Sequence, residues 1–178
     1  SVTVLERRDV VSRYLTCVQS PWLSSPRPGV TLGGVFERWQ RELLDELRIA
    51  RLATIARSGR PHLVPVCYAR IGDTVVFAVD EKPKRSPRLA RLRNIERDPR
   101  VTLLFDRYED DWAQLAWVSV EGRASVVAQG GERPGALSKL RERYSQYREM
   151  VLESLPLVVV DPERVVGWRW RADDSPGR

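Results

Sequence analysis

Eight cations crowd one short stretch of the chain: Lys82, Lys84, Arg85, Arg88, Arg91, Arg93, Arg97 and Arg100 meet only Glu96 and Asp98 between residues 82 and 100. Eight less two is +6, which is also the formal net charge of all 178 residues. The rest of the sequence is balanced. Ser86 followed by Pro87 reads as a helix start, because serine can cap free N–H groups and proline loses nothing at the first helical position. Pro99 reads as its stop, giving an expected helix of about three turns. Leu89, Leu92 and Ile95 would be its buried stripe, and Arg88 and Arg91, three apart, would share a face. A helix N-terminus beside so many cations can grip a phosphate by electrostatics. A charge run is more often a solvated face; the concentration of the whole excess beside a helix start favours the anion site.

Other groups with chemistry in them are few. His62 is the single histidine, and its place after Pro61 at a strand start suits a rim residue better than a catalyst. Cys17 and Cys67 are fifty positions apart and make neither a disulfide framework nor a metal knuckle, so reduced thiols and no metal are expected. A sequence pI of about 9.8 invites nucleic acid. Against that, no zinc-finger spacing occurs, and no strand pairs aromatics with Lys or Arg. No nucleic-acid partner is expected. No apolar run approaches the roughly 20 residues of a membrane span, and no signal-peptide core opens the sequence. A cytoplasmic protein without a membrane partner is the expectation.

The elements that must carry these groups follow from periodicity. Residues 1–33, rich in Pro, Ser and Gly towards their end, read as an extension, residues 34–171 as one domain, and residues 172–178 as a polar tail. Phe36, Trp39, Leu43, Leu44 and Leu47 mark an amphipathic helix from Val35 to Ile49. Strands are expected over Leu52 to Ala56, Pro61 to Ile71, Thr74 to Asp80, Arg100 to Tyr108 and Leu115 to Val127, the last kinked at Gly122. Pro65, which cannot donate to a ladder, marks an edge, a bulge or backbone left free for something else. Ile71-Gly72-Asp73-Thr74 reads as a two-residue hairpin turn. Glu132 to Ser154 reads as mostly helix, with Val151 on its inner side; Leu157 to Val160 and Arg164 to Trp170 read as two strands around an Asp161-Pro162 turn. Six or seven mostly antiparallel strands with flanking helices point to a small closed barrel. No Gly-rich dinucleotide fingerprint follows a strand.

Four stretches in this order, GRPHLVPV (Gly59 to Val66), VVFAVD (Val75 to Asp80), RLRNIERDPRVTLLFD (Arg91 to Asp106) and WVSVEGRA (Trp117 to Ala124), resemble the split-barrel flavin and deazaflavin oxidoreductases of the pyridoxamine-phosphate-oxidase-like superfamily. The chain is most similar to the branch of probable coenzyme F-420-dependent enzymes, where a tyrosine-acidic-tryptophan loop like Tyr108 to Trp112 recurs. The resemblance implies a mainly β split barrel with flanking helices, working as a homodimer. It implies that Arg91, eight positions before the Asp-Pro that ends the helix, contacts a cofactor phosphate. Lys82, Lys84, Arg85 and Arg88 would share that phosphate or the acidic tail of a deazaflavin. Backbone of Pro65 and Val66 and of Phe77, Ala78, Val79 and Asp80 would hold the ring. Where pyridoxamine-phosphate oxidases present a glutamine, this sequence has Trp117, which argues against that activity itself.

The residues alone fit such a ring: it needs an apolar slot, free backbone groups and a charged anchor. The expectation is an oxidoreductase passing a hydride between F-420 or FMN and an electron-poor small organic substrate. Trp112 and His62 are the substrate-side candidates, and no side chain is expected to act as a catalytic nucleophile. The rival class is a non-catalytic flavin or heme carrier, or a basic-surface nucleic-acid module.

Overall fold

Alternating burial, the mark of a strand with one face on a core, runs along most of the sheet that the sequence builds. In the computed structural model, which describes residues 35–79 and 89–170, seven strands form: β1 (Ala50–Ile55), β2 (Pro61–Val66), β3 (Ala69–Ile71), β4 (Thr74–Ala78), β5 (Arg100–Arg107), β6 (Ala116–Val127) and β7 (Leu157–Arg169). Three helices accompany them, α1 (Arg38–Glu46), α2 (Ala90–Arg97) and α3 (Pro134–Arg143). All neighbouring strands are antiparallel, in the order β2-β1-β5-β6-β7-β4-β3.

The two outermost strands, β2 and β3, are consecutive in the chain. Only Cys67 and Tyr68 separate them, and three residue steps span about 10 Å. The sheet must therefore curl until its two edges meet at that corner. Leu52, Leu103, Phe105, Val118, Val120, Phe77 and Val160 fill the inside of the roll, where α1 and α2 add Leu43, Leu44, Leu92 and Ile95. A second cluster lies outside it, where α3 lays Ala136, Leu137 and Leu140 over Ala69, Val76 and Ala78. Strand β4 is thus buried on both faces: Val75, Phe77 and Val79 point one way, Val76 and Ala78 the other.

Several expectations hold. Gly72 takes φ 59° at the β3–β4 turn, a left-handed conformation that suits glycine, and Ile71 pairs with Thr74 across it. Gly122 sits at a bulge in β6, where an added Cβ would lie 2.4 Å from the Asp161 carbonyl oxygen. Pro65 is on an edge strand.

Four boundaries differ. The segment from Pro61 to Ile71 is not one strand, because the corner at Cys67-Tyr68 hands it from one sheet edge to the other. Asp161-Pro162 is not a turn: β7 runs through it as one strand of 13 residues, with Pro162 opposite Gly122 at the bulge, where no ladder N–H is needed. The late helix stops at Arg143 and gives way to a 3₁₀ turn at Ser145–Tyr147, which leaves Val151 59% exposed. The cationic helix runs from Ala90 with Leu89 as its cap residue, so its eight residues make about two turns rather than three, and the expected start at Ser86-Pro87 lies outside the described residues. The expected extension over residues 1–33 and the tail over 172–178 lie outside the described residues. Among the described residues, no helix is long and apolar enough to cross a membrane.

Candidate functional site

Strand pairing fixes what lies beside what. The β3–β4 register ends at Ala69 opposite Val76. Continued backwards, it would set Tyr68 against Phe77 and Val66 against Val79, but the chain leaves β4 there. The Tyr68 N–H donates instead to the Tyr144 hydroxyl (2.9 Å), which itself donates between the carbonyls of Tyr68 and Arg48 (2.8 and 2.7 Å). Among the described residues, 77–79 therefore pair on one side only: Phe77 and Ala78 with Val158 and Leu157 of β7, and Val79 through its N–H to the Pro156 carbonyl (2.9 Å). Across the gap, β2 pairs only with β1, so its outer edge carries no strand among the described residues. Two backbone edges, Val64–Pro65–Val66 and Phe77–Ala78–Val79, are thus left without a pairing strand on one side among the described residues, and the gap between them is the candidate slot.

The corner at its end is held firmly. Tyr68 is fully buried and donates its hydroxyl to the Leu44 and Leu47 carbonyls. Burial pushes its phenol well above the ordinary tyrosine value, with the nearby Arg143 charge working the other way. The Arg143 guanidinium stacks on the Tyr68 ring at 4.9 Å and donates to the carbonyls of Leu44, Asp45 and Leu47. Carbonyls that α1 leaves open at its C-terminus are thus satisfied by side chains from β3's approach and from α3.

Helix α2 packs against β1 and β6. The Asn94 side-chain amide donates to the Thr54 hydroxyl (3.0 Å), and the Arg97 guanidinium to the Ile55 carbonyl. These two ties place the last turn of the helix at Ile55 and its middle at Thr54; half-buried Arg91 stands one turn before Asn94, on the same face. Arg93, on the other face, is exposed. After the helix, Asp98 accepts from the Arg100 side chain and backbone, and these bonds lower its carboxyl to about 2.

Of the sequence-derived candidates, Pro65 and Val66 lie on the β2 edge, Phe77, Ala78 and Val79 on the β4 edge, and Arg91 on α2, one turn before Asn94. The Phe77 side chain is wholly inside the core, so backbone is what that residue offers. Asp80, Lys82, Lys84, Arg85 and Arg88 lie outside the described residues. His62 is half-buried on the inner face, opposite Thr54. Trp112 is 69% exposed in a short 3₁₀ turn that Asp111 caps by accepting from the Ala113 N–H (3.0 Å). His62 and Trp112 are not brought together. His62 sits level with Val101 of β5, whereas Trp112 lies beyond the other end of that strand, past Arg107, so their rows are about 20 Å apart.

Sequence reasoning missed Asn94, Thr54 and the Tyr68–Tyr144–Arg143 corner. Asn94 stood between Leu92 and Ile95, and the turn of the helix that makes a buried stripe of those two buries it as well. The corner could not be read, because its members come from segments some 76 positions apart.

A single antiparallel sheet rolled until its edges touch at one corner and part at another defines a split β-barrel, with a slot where the edges diverge. The chain belongs to the pyridoxamine 5'-phosphate oxidase family, whose model matches residues 36–169. Among solved structures it is similar to the conserved hypothetical protein Rv2991 from Mycobacterium tuberculosis, at 22% identity and TM-score 0.64, covering 86% of this chain and 96% of that one. It also resembles a putative 5-nitroimidazole antibiotic resistance protein from Bacteroides thetaiotaomicron (12% identity, TM-score 0.56, 74% and 82% covered). A third similar fold is the heme storage protein HutZ of Vibrio cholerae (18%, TM-score 0.57, 75% and 93%). No curated protein matches the sequence.

Proposed function

We propose that the slot holds a flavin-type redox ring, coenzyme F-420 or else FMN, and that the protein is an oxidoreductase acting on an electron-poor small organic molecule. The observation that carries this is the pair of half-used backbone edges at 64–66 and 77–79. A planar ring with hydrogen-bonding groups on its rim needs such donors and acceptors at fixed spacing, and Pro65 keeps one position of β2 free of an N–H. The ring supplies the hydride chemistry. This chain's residues orient it with backbone, exclude water with the apolar inner face and anchor its anionic tail at Arg91. Lys82, Lys84, Arg85 and Arg88 are assigned to the same tail by their sequence positions.

The fold shared with a putative nitroimidazole resistance protein agrees with an electron-poor substrate. The fold shared with a heme storage protein keeps a heme carrier as the rival. The deciding experiment titrates purified protein into FMN and into F-420 and follows quenching of their fluorescence. Micromolar binding of either supports the proposal. Binding of neither, together with a Soret band on adding heme, would transfer the protein to the carrier class.

A further inference from the structure

Resting on the reading just given, we propose that His62 is an anion-binding residue whose Nδ1 donates a hydrogen bond to the phosphate of the bound redox ring, from the strand opposite Arg91. The geometry runs as a chain of satisfied groups that stops at this imidazole. Thr54 is 1% exposed and pairs with His62 across β1 and β2, so the two side chains share the inner face. The Thr54 hydroxyl accepts from the Asn94 amide (3.0 Å) and gives its own proton to the His62 carbonyl (3.4 Å). His62 Nδ1 is buried and has no hydrogen-bond partner. An orphaned imidazole nitrogen in a folded interior is costly, and such groups mark a missing partner.

The surroundings say what kind of partner. Along the inner face, the residues next to Thr54 and His62 are Leu52, Val64 and Val101, none of which offers a side-chain acceptor. Asp98, at the end of α2, is committed to Arg100. Among the described residues none meets Nδ1, and an acceptor from a bound molecule would complete it. Arg91 stands one helical turn before Asn94 on the same face of α2, and Asn94 itself bonds the Thr54 that pairs with His62. A group with several acceptor oxygens and negative charge suits an imidazole on one wall and a guanidinium on the other. The phosphate common to FMN and F-420 is such a group. His62 is thereby removed from the substrate side of the ring, where its sequence position first suggested it.

Because the chain has one histidine, tag-free protein gives a single imidazole signal in nitrogen-edited NMR. The probes are whichever of FMN and F-420 the protein binds and its phosphate-free parent, riboflavin or the corresponding deazariboflavin. The expected result is a shifted His62 Nδ1 signal with the phosphorylated ligand and an unmoved one with the parent. His62→Ala should weaken the phosphorylated ligand about tenfold and leave the parent unchanged. His62→Asn, whose amide nitrogen can reach the place of Nδ1, should restore most of the loss. An imidazole signal indifferent to the phosphorylated ligand, or equal losses for both ligands in His62→Ala, overturns the proposal while the ring-binding reading stands. Wild-type protein that binds no flavin or deazaflavin overturns both.

Discussion

Arg91 and Arg93 are two positions apart on one helix and do different work. Arg91 is half-buried, on the face that carries Asn94 and Ile95 onto β1, and Arg93 points to solvent. A phosphate in the proposed place feels both charges through space, but only Arg91 can touch it. Arg91→Glu should therefore weaken FMN or F-420 binding at least tenfold more than Arg93→Glu, since a charge-assisted hydrogen bond is worth about 1.5–3 kcal/mol. Titration at two salt concentrations checks this, because the Arg93 effect should shrink with salt and most of the Arg91 effect should persist. Equal losses would mean that the basic stretch acts only as a diffuse field. Arg141, on α3, is no neutral control: it holds Glu153 at 2.8 Å and donates to the carbonyls of Tyr147 and Met150, so reversing its charge would disturb the fold.

At the scale of elements, the slot depends on a corner that no strand propensity encodes. Tyr144 closes it by offering its hydroxyl to both backbone groups of Tyr68 and to the Arg48 carbonyl, in place of the ladder that β2 and β3 lose on changing edges. Tyr144→Phe keeps the ring against Tyr147 and removes those bonds and the one that the hydroxyl accepts from Arg143 Nε (3.3 Å). It should lower stability by about 1–3 kcal/mol, the usual result of leaving buried backbone groups unsatisfied. Thermal unfolding reads that loss, and an unchanged midpoint would show that water replaces the hydroxyl. Ligand affinity should fall as well, because the same bonds set where Val66 parts from Val79. This corner also shows where sequence reading reached and where it stopped. Strands β1, β5 and β6 were legible because each buries one face, so a period of two appears directly in Leu52, in Val101, Leu103 and Phe105, and in Val118 and Val120. The turn at Gly72 and the kink at Gly122 were legible because glycine there answers a local backbone demand. The breaks at Cys67-Tyr68 and through Pro162 were not, since both are decided by partners far along the chain. Pro162 looks like a turn residue until Gly122 is set opposite it. The start of α2 at Ala90 was not legible for a similar reason: the helix begins where Leu89 meets the core, a contact with residues far along the chain.

The whole molecule presents one sheet face in two halves. Helix α3 covers the outer side of β3 and β4 and the adjoining Val127, Leu157 and Val159 of β6 and β7, while no element among the described residues covers the outer side of β2, β1, β5 and the rest of β6 and β7. Pairing registers put Leu63, Ala53 and Thr102 in one row there, Pro65, Arg51, Leu104, Ser119 and Val166 in the next, and Trp117 beside Trp168 beyond it. Leu63 is 63% exposed and Trp168 40%. The charges on this face cancel in place, Arg51 with Asp106 and Arg164 with Glu121, so little net field opposes a like surface. An apolar face that is electrically neutral to itself suits an isologous contact, in which one patch meets its own copy across a two-fold axis. The slot opens along β2, the strand that forms one border of this patch, so a second copy seated there would stand beside the bound ring and could bring its own exposed aromatics, Tyr108 and Trp112, towards it. That arrangement would also account for the wide separation of His62 and Trp112 within one chain. Leu63→Glu places an unpaired charge in the middle of such a contact without touching the core. Sedimentation should find the wild type as a dimer and Leu63→Glu as a monomer, with its thermal unfolding becoming independent of protein concentration. A wild type that sediments as a monomer at all concentrations, or a variant that still sediments as a dimer, would mean that this face serves some other contact, and the site would then have to be complete within a single chain.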